Sequence, residues 1–167
     1  QKKHQAKQFI DFGGWSLIQK TLERIKKPVF DYPIISTNLK YLKDVRKSLK
    51  KNKVKKYKIV LEPAKKNTGP AVLSSALIKE IPLEQPLMYF TADHLIEKSN
   101  ILNRSISKNK TNLDDQNIFV FGIKPTNPSS EYGYFLTKKI NNNINKVIKF
   151  IEKPNQSKAK QIIKKNG

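Results

Sequence analysis

Cysteine is absent from these 167 residues, which excludes disulfides and thiolate metal sites and suits a reducing cytosol. No apolar run approaches the roughly 20 residues a bilayer-spanning helix needs, and no stretch has the pattern of a secretory signal. Arginine is scarce. Arg24, Arg46 and Arg104 are the only arginines among 34 basic residues, and the rest are lysines. That scarcity decides how the formal net charge of +21 is understood. The magnitude alone would suggest a polynucleotide partner, but base readout and bidentate phosphate contact favour arginine. Lysines spread over every segment, beside abundant Asn and Ile, look like genome-wide codon bias rather than a binding patch.

The length fits one ordinary domain with a real core. The opening on Gln1 and the close on Lys164-Lys165-Asn166-Gly167 suggest a piece of a longer protein. From Tyr32 the chain alternates. Pro33–Thr37 is expected as a strand, and Asn38 as the cap of a helix from Leu39 to Lys51 with Leu42, Val45 and Leu49 on one face. A strand over Lys58–Leu61 and a helix over Ala71–Lys79 follow. An apolar strand is expected over Leu87–Thr91, then a helix from Glu97 to Lys108 with Ile101, Leu102 and Ile106 inward, then another strand over Ile118–Ile123. Strands alternating with helices of this length imply an α/β fold with a mainly parallel sheet flanked by helices. After Pro125 the style changes. Tyr132–Lys139 and Lys146–Ile151 alternate like the arms of a β-hairpin around Asn141-Asn142-Asn143, and Ser157–Lys165 closes as a helix.

One loop stands out. Tyr57-Lys58-Ile59-Val60-Leu61-Glu62-Pro63 is stopped by Pro63, and Asn67-Thr68-Gly69-Pro70-Ala71 leads into the next helix. A strand, a polar loop and a helix in that order form a lip at the carboxyl end of a parallel strand, where open α/β sheets bind ligands. An amide, a hydroxyl and an unobstructed glycine backbone suit the edge of a nucleobase. The same residues also suit a plain strand-to-helix turn, with Asn67 or Thr68 as N-cap and Pro70 in the first turn.

Further segments line up in order: Ala6-Lys7-Gln8-Phe9 with Gly14–Arg24, then Thr91-Ala92-Asp93-His94-Leu95-Ile96, then Glu131-Tyr132-Gly133-Tyr134, then Phe150-Ile151-Glu152-Lys153-Pro154. Together with the Glu62-Pro63 and Asn67–Ala71 loop, this set resembles the sugar-phosphate nucleotidyltransferase family, within it the mannose-1-phosphate guanylyltransferase (GDP-mannose pyrophosphorylase) branch, over essentially the whole chain. The resemblance implies a Rossmann-like nucleotidyltransferase fold truncated at both ends. Residues 1–167 would be a partial domain, with about 1–125 the nucleotide-binding half and about 126–167 the start of the sugar-phosphate-binding part. It implies GTP and mannose 1-phosphate as partners and a divalent metal, usually magnesium. It points to neither nucleic acid nor membrane, suits a cytoplasmic enzyme, and leaves a homo-oligomer open.

The resemblance also implies roles. Lys7 would meet the nucleotide phosphates and Asp93 would hold the metal, these two being the catalytic pair. Glu62, Pro63, Asn67 and Thr68 would border the nucleotide. Gly133, Glu152 and Lys153 would take the sugar phosphate, with Glu152 on the sugar hydroxyls and Lys153 on the phosphate. Plainer roles exist for each: a surface lysine, a strand-end aspartate, a bulge glycine, an edge ion pair. Trp15, Leu17, Ile18 and Leu22 fit core packing better than ligand contact. The sequence departs from the family at Ala6, where proline usually precedes the lysine, and at Lys66, where arginine usually precedes Asn-Thr. A glycine-rich loop of the form G-x-G-T-R-x-x-P ahead of Lys7 and a second metal-binding aspartate are not within the sequence, so a chain ending at these two points is expected to be inactive. The remaining alternatives are another nucleotide or hexose 1-phosphate, or a non-catalytic module, either a nucleotide-sugar sensor or a basic nucleic-acid-binding domain.

Overall fold

Ile34–Asn38 (β1) and Lys58–Glu62 (β2) pair in parallel, Ile35 against Ile59 and Asn38 against Glu62. The crossover between them is a 3-10 turn, Leu39–Tyr41, running into helix α2, Leu42–Lys51. The Asn38 side chain accepts from the Lys40 backbone N–H at 3.1 Å, the capping bond expected of an Asn at a helix start. This is the βαβ unit the alternation implies. The computed structural model describes residues 6–64 and 67–166.

The chain divides into two compact units, Gln1–Leu113 and Asp114–Gly167. In the first, helix α1, Leu17–Arg24, packs against α2. Ile18 and Leu22 lie one turn apart and face Val45 and Leu49, also one turn apart, and Phe9 joins them. Ile35 and Ile59 seal this cluster from the sheet side. Ala6 and Ala92 pack against it as well. Trp15 is half-buried and stacks on Phe12, in keeping with a packing role.

Two expected strands do not form ladders. Among the described residues the sheets are β1-β2 and a separate antiparallel pair, and neither Leu87–Thr91 nor Ile118–Ile123 joins one. A continuous apolar run reports a tendency to be covered, whereas a ladder needs a partner strand alongside. Leu87–Thr91 is placed by side chains instead. Phe90 meets Phe30 edge-on at 5.7 Å, and the Tyr89 hydroxyl donates to the Val72 carbonyl at 3.1 Å. Ile118 and Ile123 are largely exposed.

Helix α3 spans Thr68–Ala76, starting and ending three residues earlier than expected, with Pro70 in its first turn as the plain-turn reading has it. Helix α4 covers Ser99–Asn109 rather than starting at Glu97. Its half-buried side carries Ser99, Leu102, Asn103, Ser105, Ile106 and Asn109, and Ile101 lies off it, 57% exposed. The expectation that Ile101 points inward is corrected accordingly. Counting only apolar residues misses Asn103, which is half-buried on the same side.

The second unit is a hairpin with one helix. Strands β3, Tyr134–Lys139, and β4, Asn145–Ile151, run antiparallel with Tyr134 opposite Ile151, and the register shifts between Leu136 and Thr137. The Asn141 side chain accepts from the Asn143 and Ile144 backbone N–H groups, which makes the polar turn an Asx turn. Helix α5, Gln156–Asn166, buries Ala159 and Ile162 against Tyr134. Asn155 caps it through the Lys158 N–H at 2.9 Å.

Candidate active site

The carboxyl ends of β1 and β2 are tied together by Glu62. Its carboxylate accepts from the Ser36 hydroxyl, and its carbonyl accepts from the Asn38 side-chain amide at 3.2 Å. Asn38, Leu39, Lys40, Leu61, Glu62 and Pro63 line an open groove of about 610 Å³ at this edge, the topological position for a ligand in a parallel sheet. Pro63 is exposed on its rim. The Glu62 side chain already has a partner within the sheet, so its own geometry favours a structural tie over a ligand contact.

Past Pro63 the chain reaches Asn67, where φ is +64°. A left-handed backbone at a residue other than glycine costs of order 1–3 kcal/mol and recurs at ligand-binding turns. Asn67 occupies the N-cap position of α3, yet its side chain makes no capping bond, which leaves the amide uncommitted among the described residues. Thr68 is exposed, and a methyl added at Gly69 would meet nothing within 4 Å. Among the described residues this end of the helix is therefore bare. Lys66, the departure from the family pattern, lies outside the described residues.

Lys7 and Asp93 are each one residue beyond an alanine that packs on the same core cluster. Lys7 sits in a 3-10 turn, Lys7–Phe9, anchored by buried Phe9 and by the Phe9 N–H donating to the Ala6 carbonyl at 2.9 Å. Asp93 sits in a turn after Ala92. Both side chains are exposed, and neither makes a hydrogen bond or ion pair among the described residues. A carboxylate left unpaired in a chain so rich in lysine is chemically available. No group of three His, Asp or Glu side chains that could hold a metal occurs among the described residues. Magnesium is commonly held by one or two carboxylates together with substrate phosphates and waters, so a lone free Asp93 fits that mode and no fuller protein cage.

In the second unit the expected sugar-phosphate residues come together. Continuing the β3–β4 register past Tyr134 and Ile151 puts Gly133 across from Glu152. A side chain at Gly133 would run into the Phe150 ring, and its first carbon would stand 3.0 Å from the Glu152 carboxylate. The missing side chain at Gly133 thus makes room for Phe150 and Glu152 themselves, a more local reason for glycine than hexose approach. Lys153 follows with φ at +39°, between exposed Glu152 and buried Pro154. Neither Glu152 nor Lys153 has a side-chain partner among the described residues, so the two do not form an edge ion pair. Backbone strain therefore falls at Asn67 and Lys153, two of the three non-glycine residues with positive φ among those described.

Two residues at this site escape sequence reasoning. Asn38 is legible as a helix cap but not as the rim of the groove. Arg24 is buried beneath the Asp93 segment, where its Nη2 donates to the His94 carbonyl at 3.2 Å. Its signal is its type, an arginine in a chain that otherwise uses lysine almost throughout.

Comparisons with known proteins concern the chain as a whole. A sequence model described as nucleotidyl transferase matches residues 2–166. The chain is 30% identical to a mannose-1-phosphate guanylyltransferase of Escherichia coli over 99% of its own length and 38% of that protein's. It is 28% identical to the alginate biosynthesis protein AlgA of Pseudomonas fluorescens, again over 99% of this chain but 35% of the relative. It thus spans little more than a third of the curated relatives it matches. A solved structure of mannose-6-phosphate isomerase from Helicobacter pylori superposes with a TM-score of 0.74 at 27% identity, over 97% of this chain and 62% of that one. One of mannose-1-phosphate geranyltransferase from Thermus thermophilus gives 0.69 at 22% identity, over 92% and 45%, and supports the fold alone.

Proposed function

We propose that this chain, which belongs to the nucleotidyl transferase family, is part of a cytoplasmic enzyme that transfers a guanylyl group from GTP to mannose 1-phosphate. An oxygen of the sugar phosphate attacks the α-phosphorus of GTP in line. The bond from that phosphorus to the bridging oxygen breaks, and pyrophosphate leaves. Negative charge crowds a small volume, so the protein's contribution is positioning and fixed positive charge rather than a covalent intermediate.

Residues divide along the two units. Asn67 and Thr68 border the guanine from the bare start of α3, beside Glu62 and Pro63. Lys7 places its ammonium on the nucleotide phosphates. Asp93 would hold magnesium, which when bound supplies neutralisation of the phosphate charge. Lys153 holds the phosphate of the sugar and Glu152 its hydroxyls. The observation that carries this reading is the joint placement of Gly133, Glu152 and Lys153 at the open end of one hairpin, with both charged side chains unpartnered among the described residues. The 30% identity to a mannose-1-phosphate guanylyltransferase supports the choice of sugar and nucleotide.

Turnover of the whole protein with GTP, UTP, dTTP and ATP, each against mannose 1-phosphate and glucose 1-phosphate, tests it. A base read through hydrogen bonds is discriminated strongly. GTP with mannose 1-phosphate is therefore expected to exceed every other pair in kcat/KM by at least about tenfold. Equal or better turnover with UTP or dTTP overturns the guanylyl assignment, and equal turnover with glucose 1-phosphate overturns the sugar assignment.

A further inference from the structure

Arg24 has no carboxylate partner among the described residues, although it is only 4% exposed. Such a cation is costly to bury unless its hydrogen bonds are used. It closes α1, and its Nη2 donates both to the Thr21 hydroxyl at 2.7 Å and to the His94 carbonyl at 3.2 Å. Its guanidinium carbon stands 5.9 Å from the centre of the Phe90 ring. Nε and Nη1 are buried with no partner among the described residues. Burial draws the guanidinium below its ordinary pKa, and it stays charged at neutral pH. From α4, the Asn103 amide donates to the Arg24 carbonyl at 3.5 Å, which fixes the backbone that carries this side chain.

These contacts converge on one segment. Phe90 precedes Asp93 by three residues and His94 follows it, and Arg24 touches both. Among the described residues the stretch between them joins no strand ladder; Ala92 packs on the core cluster, and α1 adds the Arg24 contacts on both sides of Asp93. Lysine could not do the same. A point ammonium cannot stand over Phe90 while also reaching a carbonyl and a hydroxyl from fixed nitrogens.

We propose that Arg24 is the positioning residue for Asp93, fixing the segment that carries its carboxylate through the Phe90 ring on one side and the His94 carbonyl on the other. This rests on the reading of Asp93 as the magnesium-holding carboxylate. Arg24 itself touches neither nucleotide nor sugar.

The experiment compares Arg24→Met, Arg24→Lys and Asp93→Asn in the whole protein. It measures the magnesium concentration for half-maximal activity, KM for mannose 1-phosphate, and amide hydrogen exchange by segment. Loss of a charged hydrogen bond together with the cation–ring contact should raise the magnesium requirement of R24M about tenfold. It should also speed exchange across residues 91–96 about tenfold, with KM for the sugar phosphate changed less than about twofold, and R24K should lie between R24M and the parent. An unchanged magnesium requirement and unchanged exchange at 91–96 in folded R24M overturn the proposal. So does exchange that quickens evenly across α1, α2 and the 91–96 segment, since that marks a merely structural arginine. If R24M does not fold, R24K decides on the same two readouts. An unaltered magnesium requirement in D93N sinks the metal reading of Asp93, while exchange at 91–96 in R24M still shows whether Arg24 holds the segment.

Discussion

Asp93→Asn lowers kcat for guanylyl transfer by the whole protein about 10²–10³-fold, the scale seen when one preorganised charge-stabilising group is removed. Asparagine keeps the shape of aspartate and removes its charge. The side chain is exposed and makes no hydrogen bond or ion pair among the described residues, so the fold has little to lose. Unfolding free energy should move by less than about 0.5 kcal/mol. The discriminating result is that split. Activity collapses at every magnesium concentration, while chemical denaturation curves of parent and variant superimpose. A loss of less than about threefold in kcat would return Asp93 to the plain role of a turn residue.

Leu49→Ala is the largest stability effect expected from this chain. Leu49 is 1% exposed, as is Val45 one turn before it, and they are the two most deeply buried large side chains among those described. Leu49 faces Ile18, Leu22 and Phe9, and its carbonyl accepts from the Val54 N–H at 3.0 Å, closing the turn that leads into β2. Truncation removes three carbons from a close-packed centre and leaves a cavity that α1, α2 and the sheet cannot fill together, which costs about 2–5 kcal/mol. Leu83, 94% exposed, is the control, and Leu83→Ala should cost less than about 0.5 kcal/mol. Equilibrium denaturation measures both. A cost below about 1 kcal/mol for L49A would mean that this cluster is not the core of the first unit. The backbone neighbours of Lys7 and Asp93 rest on the same cluster, so kcat of L49A should fall further than its folded fraction accounts for.

What can be read from the sequence depends on whether an element completes itself locally. The β1-α2-β2 unit is legible because Asn38 caps, Leu42, Val45 and Leu49 repeat at helical spacing, and Pro63 stops the strand. The hairpin is legible from its alternation and its Asn turn, and α5 from its spacing. Leu87–Thr91 and Ile118–Ile123 fail as strands for a shared reason. Apolar runs carry no information about which backbone lies alongside. On α4 an apolar count finds Leu102 and Ile106 on the half-buried side but wrongly adds Ile101 and passes over Asn103, a polar residue whose amide holds the Arg24 carbonyl.

At the site, motif order singles out residues whose conformations are unusual, and Asn67 and Lys153 both have positive φ. It does not anticipate that the Glu62 carboxylate bonds Ser36, a pairing across two strands and 26 residues of chain. It assigns Gly133 to the hexose, whereas the closest demand on its space comes from Phe150 and Glu152. Arg24 shows the same limit. Its type is conspicuous, but its partner lies 70 residues away and is a backbone carbonyl, which no side-chain pattern records.

The central claim is that groups contributed by separate loops act on one nucleotide sugar. The most direct measurement is a crystal structure of the whole protein with GDP-mannose and magnesium. The account predicts guanine beside Asn67 and Thr68, Lys153 within hydrogen-bonding reach of the phosphate attached to mannose, and an Asp93 oxygen about 2.1 Å from the metal. Nucleotide sugar bound with Asp93 and Lys153 both remote from its phosphates would contradict it.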